Sequence, residues 1–236
     1  MPRALIGVHG LSVCLMMTFA VSGCGSSSEG PRVDGSIQNL ADMHQAIGKF
    51  ADQHQHLPPQ TAEGDQIGQS WMTDLLPYIG ESSLSASIDR TQAWNSEANM
   101  APFSTDVAMF HSPKITPAAI DGYSAAHYAG NVHVLKPTGG IGYLDMTDGS
   151  GNLIFAAEVN AGFKPWGSPD NLRDPALGFG ETADRFGSPY PEVAVLLGDG
   201  SVRPLAKDVA SEILHALSTP GGGEDMQQLM QLYGRK

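Results

Sequence analysis

The chain has 236 residues, with 25 Asp and Glu against 13 Lys and Arg, a formal net charge of −12 and a charged fraction of 16%. That length supports one sizeable core, and the lack of a basic footprint excludes nucleic-acid binding of the ordinary electrostatic kind. With 28 Gly and 16 Pro the fold must be rich in turns, and beyond Cys24 no apolar run reaches the roughly 18 residues of a membrane-spanning helix.

The chain opens on "MPRALIGVHGLSVCLMMTFAVSGC". One Arg near the start, an apolar stretch from Leu11 to Val21 and small residues before a Cys have the layout of a secretory signal. Val21-Ser22-Gly23-Cys24 looks like a bacterial lipobox. That likeness implies a signal peptide over 1–23, cleavage between Gly23 and Cys24, and a lipid (diacylglyceryl and palmitate) on Cys24. The chain has two cysteines, Cys14 and Cys24. The processed chain therefore keeps no thiol for an internal disulfide, a Cys zinc site or a Cys nucleophile. Residues 24–35 read as the lipidated Cys plus a Ser/Gly/Pro tether that reaches about 35 Å when extended. A globular domain is expected over 36–236.

In "SIQNLADMHQAIGKFADQHQHLPP" the residues Ile37, Leu40, Met43, Ile47 and Phe50 recur every three or four positions, which predicts an amphipathic helix. Ser36 is its expected N-cap, and Pro58-Pro59 force its end. "SWMTDLLPYIG" predicts a short helix with Trp71, Leu75 and Ile79 in the core. "VAMFHSP" predicts a short strand, and "SAAHYAGNVHVL" two extended segments around a Gly-Asn turn. From Asn152 to Val159 the pattern alternates, with Leu153, Phe155, Ala157 and Val159 sharing one face. A long Gly/Pro-rich loop region follows. "KDVASEILHALST" predicts a helix capped by Asp208, and "EDMQQLMQLYGRK" a terminal helix whose cations sit at its favourable end.

Two Asp-Gly-Ser tripeptides punctuate this pattern, at Asp148 and Asp199. In "VAVLLGDGSVRPL" a two-residue loop of Asp199-Gly200 would place both residues at positive φ. Leu197 would then face Val202, and Leu196 would face Arg203. Leu197, Val195, Val193 and Val202 would share one face against a helix, and Pro204 would confine its strand to an edge. An EF-hand reading fails, because no register puts acids at the required positions. A phosphate loop fails for want of its Lys-Ser/Thr or GxGxxG pattern. An irregular calcium site near Asp145 and Asp148 is the alternative to a plain turn.

Catalytic motifs are missing: there is no GxSxG, HExxH or SxxK. His54 and His56 could grip a metal, but His54 shares the helical face of Met43 and Phe50, as a core histidine at a helix end would. His111, His127 and His133 could form a three-imidazole site, or be core and solvated histidines. Glu158, at a strand end, and Glu224, after "GGG", are the acids least explained by solubility. They would be the pair of a hydrolase. Trp71, Trp94 and Trp166 could form a sugar platform or anchor the core.

Taken in order, "NLADMHQAIGKFADQHQHLPP", "SWMTDLLPYI", "WNSEAN", "FHSP", "MTDGSGNLIFAAEV", "LGDGSVRPL" and "GGGE" resemble the pseudopilin-like family known as domain of unknown function 1559, also called solute-binding protein family 10. The likeness runs from Ser36 to Glu224. It puts Asp148-Gly149 and Asp199-Gly200 on the family's two turns, and Glu158 and Glu224 on its recurrent acids. It implies an α+β, pseudopilin-like domain, with an N-terminal helix laid on an antiparallel sheet, and implies no reaction, cofactor or metal. Three departures follow from the same comparison. A lipobox replaces the prepilin leader and its long apolar helix. Ser36 and His111 stand where many members have two cysteines. Pro189 stands where many have a His.

The expectation is therefore a non-enzymatic lipoprotein of the cell envelope, facing the periplasm or exterior. Its partners would be membrane lipid through Cys24 and envelope proteins. The alternatives are a solute- or glycan-binding module using Trp166, and a hydrolase using Glu158 or Glu224. A deep pocket lined by Trp166 and Glu158 would favour these two.

Overall fold

The computed structural model describes residues 34–58, 68–116, 118–135 and 141–223. All lie in one compact unit, Pro31–Lys236. Gly23, Cys24, most of the tether, Glu224 and the expected terminal helix fall outside the described residues.

Helix α1 spans Asp34–His54. Its predicted stripe holds: Leu40, Met43, Ile47 and Phe50 are buried, and Ala46 joins them. Each large side chain of this kind contributes about 1.5–3 kcal/mol on burial. The helix stops before the prolines, at Gln55, whose φ of 66° is left-handed and whose N–H donates to Ala51 O at 2.7 Å. Ser36 does not cap α1. It sits inside the helix, fully buried, with its hydroxyl turned into the core. Helix α2, Trp71–Leu75, is capped by Ser70 Oγ accepting from Met72 N at 3.0 Å, and Trp71 and Leu75 are buried as expected. Short helices α3, Ser82–Ser87, and α4, Met100–Phe103, follow. The expected strand at "VAMFHSP" is instead a 3₁₀ turn, Ala108–Phe110.

The strands form two sheets. Strands β1, Ala119–Ile120, β2, Tyr123–Ala126, and β5, Lys164–Pro165, make a small antiparallel sheet. The larger sheet contains β3, Tyr128–Asn131, β4, Ile154–Glu158, β6, Leu172–Arg173, β7, Glu192–Leu197, and β8, Val202–Ala206. Its order is β6-β3-β4-β7-β8, antiparallel except for β3–β6. Gly130-Asn131 thus end a strand, and the turn comes after them, opening at Asn131 O, which accepts from Val134 N at 3.1 Å. The result is an α+β fold, with a long N-terminal helix on a largely antiparallel sheet.

Helix α5, Ser211–Ala216, begins after Ala210, so Asp208 lies outside it and caps nothing. It covers the face of the large sheet opposite α1. Ala194 and Leu196 of β7 pack with Leu40, Met43 and Ile47 of α1, while Val193, Val195 and Leu197 pack with Ile213, Leu214 and Leu217. A strand covered on both faces reads as an unbroken apolar run, as "VAVLL" does.

Two face assignments differ from expectation, each by one residue. In β4 the pairing jumps from Ile154↔Leu197 to Ala156↔Leu196, a bulge at Phe155. Leu153, Phe155 and Ala156 therefore face α1, while Ile154, Ala157 and Val159 face away. In the β7–β8 hairpin Leu196 faces Val202 and Val195 faces Arg203. The turn closes from Gly200 N to Leu197 O at 2.9 Å, and Leu197 N bonds Ser201 O at 2.9 Å. Only Gly200 takes positive φ, 87°, so the loop is one residue longer than a two-residue hairpin. Asp199 is held out of the left-handed region because its carboxylate accepts from Ser201 N at 2.9 Å and Ser201 Oγ at 2.6 Å. The slip moves Val202 to the α1 side. Pro204 lies on the edge strand, as read.

Candidate functional site

Two clusters gather the residues that the sequence singled out. The first lies where the N-terminal turns of α1 meet the end of β4. Glu158 is fully buried. Its Oε1 accepts from Ser36 Oγ at 2.7 Å and Ser112 Oγ at 2.5 Å, and its Oε2 from Ser188 Oγ at 2.5 Å. Three hydroxyls from α1, from the segment after the 3₁₀ turn, and from the loop before β7 thus converge on one carboxylate. Hydrogen bonds to a charged acceptor are the stronger kind, and a buried carboxylate needs them. Asn39, one turn along α1, donates to His111 O at 2.8 Å and to Tyr128 Oη at 3.1 Å. Burial drives the Tyr128 phenol pKa well above its ordinary value, so Tyr128 remains a neutral partner.

Ser36 Oγ stands 3.0 Å from Ser112 Oγ. The residue facing Ser36 is therefore Ser112, not His111 as the family comparison suggested. His111 points its Nε2 to Ala125 O at 3.0 Å. Its ring lies 4.9 Å from that of His127, which in turn lies 5.0 Å from Phe163. His127 Nδ1 accepts from Ser112 N at 3.0 Å, and its buried Nε2 finds no hydrogen-bond partner. Ser112 gives its hydroxyl proton to Glu158 while His127 takes the backbone N–H, so no serine–imidazole nucleophile pair exists here. Ser36, Ser112, Ser188, His127 and Glu158 are each at most 1% exposed. What this cluster can do is fasten α1 to the sheet; no substrate reaches it.

The second cluster joins the two Asp-Gly-Ser turns. Asp199 N donates to Ser150 O at 3.1 Å, and Gly198 N to Leu153 O at 2.9 Å. Asp148 reaches the "GGG" segment, accepting from Gly222 N at 2.6 Å and Gly223 N at 3.1 Å. His44 of α1 closes over Gly200, where a Cβ would come within 2.0 Å of its Nε2. Burial lowers the His44 pKa, and Asp199 opposes that shift. Asp145 accepts from Gly142 N at 2.7 Å. These carboxylates serve as turn and loop clasps, and among the described residues no group of three or more His, Cys, Asp or Glu is placed to hold a metal ion.

The remaining candidates scatter. Trp166 is fully buried, its Nε1 donating to Thr105 O at 3.0 Å and its ring 4.6 Å from Phe103. Trp71 packs edge-on against Phe155, and Trp94 against Tyr123. The three indoles form no platform, and neither Trp166 nor Glu158 opens to a pocket. His54 is exposed rather than in the core, stacked on Phe50 with ring centres 4.2 Å apart. His133 pairs with Asp174 at 3.0 Å, apart from the His111–His127 stack. A cleft of about 490 Å³ lies by the end of α1, lined by Asp52, His56, Leu57, Leu144 and Asp145 among others; of the sequence candidates it takes in His56 and Asp145, but neither Trp166 nor Glu158.

The sequence missed Ser112 and Ser188. Serines before a proline read as loop residues, and only the family comparison pointed near one of them.

No curated protein and no solved structure matches this chain. Residues 35–140, which carry α1, Ser112 and His127 but stop short of both Asp-Gly-Ser turns, match the family model SBP_bac_10, described as protein of unknown function (DUF1559), and this match supports the assignment of the chain to that family.

Proposed function

We propose that the protein is a lipoprotein of the bacterial cell envelope, anchored through Cys24, whose pseudopilin-like domain has a non-enzymatic interaction or scaffolding role. The observation that carries this reading is Val21-Ser22-Gly23-Cys24 at the end of the apolar stretch, with no other cysteine after it. The interior supports the non-enzymatic part. Glu158 and Trp166, the residues best placed by sequence to serve a substrate, are both fully buried and hold the fold together. The short tether between Cys24 and α1 would keep the domain close to the membrane surface.

The test is incorporation of labelled palmitate in a bacterial host with lipoprotein processing. Wild type takes up label and shifts to the membrane fraction; Cys24→Ala does neither. Equal labelling of the two sinks the anchor. In-cell crosslinking of the anchored form then identifies the envelope partner.

A further inference from the structure

The Glu158 cluster fastens the first turns of α1, and the imidazoles of His111 and His127 are packed directly against it. Ser112 belongs to both groups: its hydroxyl donates to Glu158 and its N–H to His127 Nδ1. The His127 side chain fits only as a neutral ring. Nδ1 faces a donor, and Nε2 is buried without an acceptor. A second proton would put N–H against N–H at Ser112 and a cation beside the His111 ring.

The charged and titratable surroundings come from every neighbouring element. His111 stacks on His127 from the segment after the 3₁₀ turn. Asp106, 64% exposed at its side chain, lies 3.7 Å from His111 Nε2. Glu158, on β4, is reached through Ser112. Tyr128 follows in β3, and Lys164 of β5 pairs with the adjacent Ala126. On α1 itself the facing groups are the neutral Ser36 and Asn39.

We propose that His127 is an acid-sensitive latch: taking up a proton breaks its contact with Ser112 and releases the N-terminal turns of α1 from the sheet. The proton adds to Nδ1 from solvent once the ring is exposed, and no other bond changes. Burial first and His111 second hold His127 down to about 4 in the closed form, with Asp106 among the opposing influences, against an ordinary value of 6.5. Between these values the open form binds a proton that the closed form refuses. Opening therefore becomes about tenfold more favourable per pH unit as pH falls. The released segment is the end of the domain nearest Cys24.

Amide hydrogen exchange of the full-length protein in detergent, corrected for intrinsic rates, tests this between pH 7 and 5. Protection at residues 36–43 and at His111 and Ser112 falls about tenfold per pH unit below 6.5, while β4 and β7 keep theirs. His127→Gln flattens the profile. His111→Gln, which removes the neighbouring imidazole, shrinks the fall and serves if His127→Gln does not fold. A profile unchanged in either folded variant, or an equal loss of protection in β4 and β7, overturns the latch.

Discussion

At Glu158 a carboxylate accepts three serine hydroxyls, and none of the four side chains is more than 1% exposed. At Asp199 a carboxylate accepts one hydroxyl and one backbone N–H, on the surface. The chemical groups are nearly the same, and the surroundings reverse their weight. Water competes for every partner of Asp199, so its bonds each contribute the modest net value of an exposed hydrogen bond. Inside, no water replaces a lost partner, so the Glu158 cluster must be complete or the fold suffers. The buried acid ties together segments 122 residues apart, from Ser36 to Glu158. The exposed acid organises its own turn.

The largest expected effect breaks this contrast if it fails. Glu158→Ala strands three buried hydroxyls and should lose about 3–5 kcal/mol in urea denaturation. Asp199→Ala should lose only about 1 kcal/mol. Similar losses at the two positions would show that burial does not separate them. A smaller effect tests the turn from its backbone side. Gly200 sits at φ 87°, and an added Cβ would meet His44 within 2.0 Å. Gly200→Ala should therefore lose about 1–3 kcal/mol by strain, the His44 ring being able to swing aside. A loss below that range would mean that the turn refolds around the new residue.

Much of the fold could be read from local signals. The α1 stripe, the Ser70–Trp71 helix start and the edge position of Pro204 follow from periodicity and the chemistry of proline. What could not be read is what a single extra residue does. The bulge at Phe155 and the longer turn at Gly198-Asp199-Gly200 each shift strand phase by one, and period-two patterns carry no mark of where they slip. The site divides in the same way. Glu158 stands out as an acid at the end of an apolar strand, a signal that fits a catalytic group as well as it fits a buried anchor. Its three serines lie 122, 46 and 30 residues away, and nothing local to Ser36, Ser112 or Ser188 distinguishes a buried hydroxyl from a cap or a loop residue. Ser36 shows this most clearly, since the position that suits an N-cap also suits a side chain pointing into the core from the first turn. The turn at Asp199 was legible because its partner, Ser201, is two residues away. That the two turns touch, and that Asp148 grips Gly222 and Gly223, required the tertiary fold.

The smallest effect reads the comparison through His44, which covers the exposed turn as His127 abuts the buried cluster. Both imidazoles have a pKa below 6.5, and burial is the main cause in each. A base whose folded pKa is depressed adds stability that is complete above its unfolded value and is lost as pH falls below it. His44 therefore contributes to a decline in melting temperature below pH 6.5. It differs from His127 in its neighbour. Asp199 pulls the His44 pKa back up, whereas His111 pushes His127 further down. His44→Gln should accordingly flatten the decline of melting temperature between pH 7 and 5 only slightly, and His127→Gln more. Asp199→Ala removes the counter-pull, so it should steepen the decline relative to wild type even though it deletes a negative charge. An unchanged decline in Asp199→Ala would show that the carboxylate is turned wholly toward Ser201 and that the His44 ring is governed by burial alone.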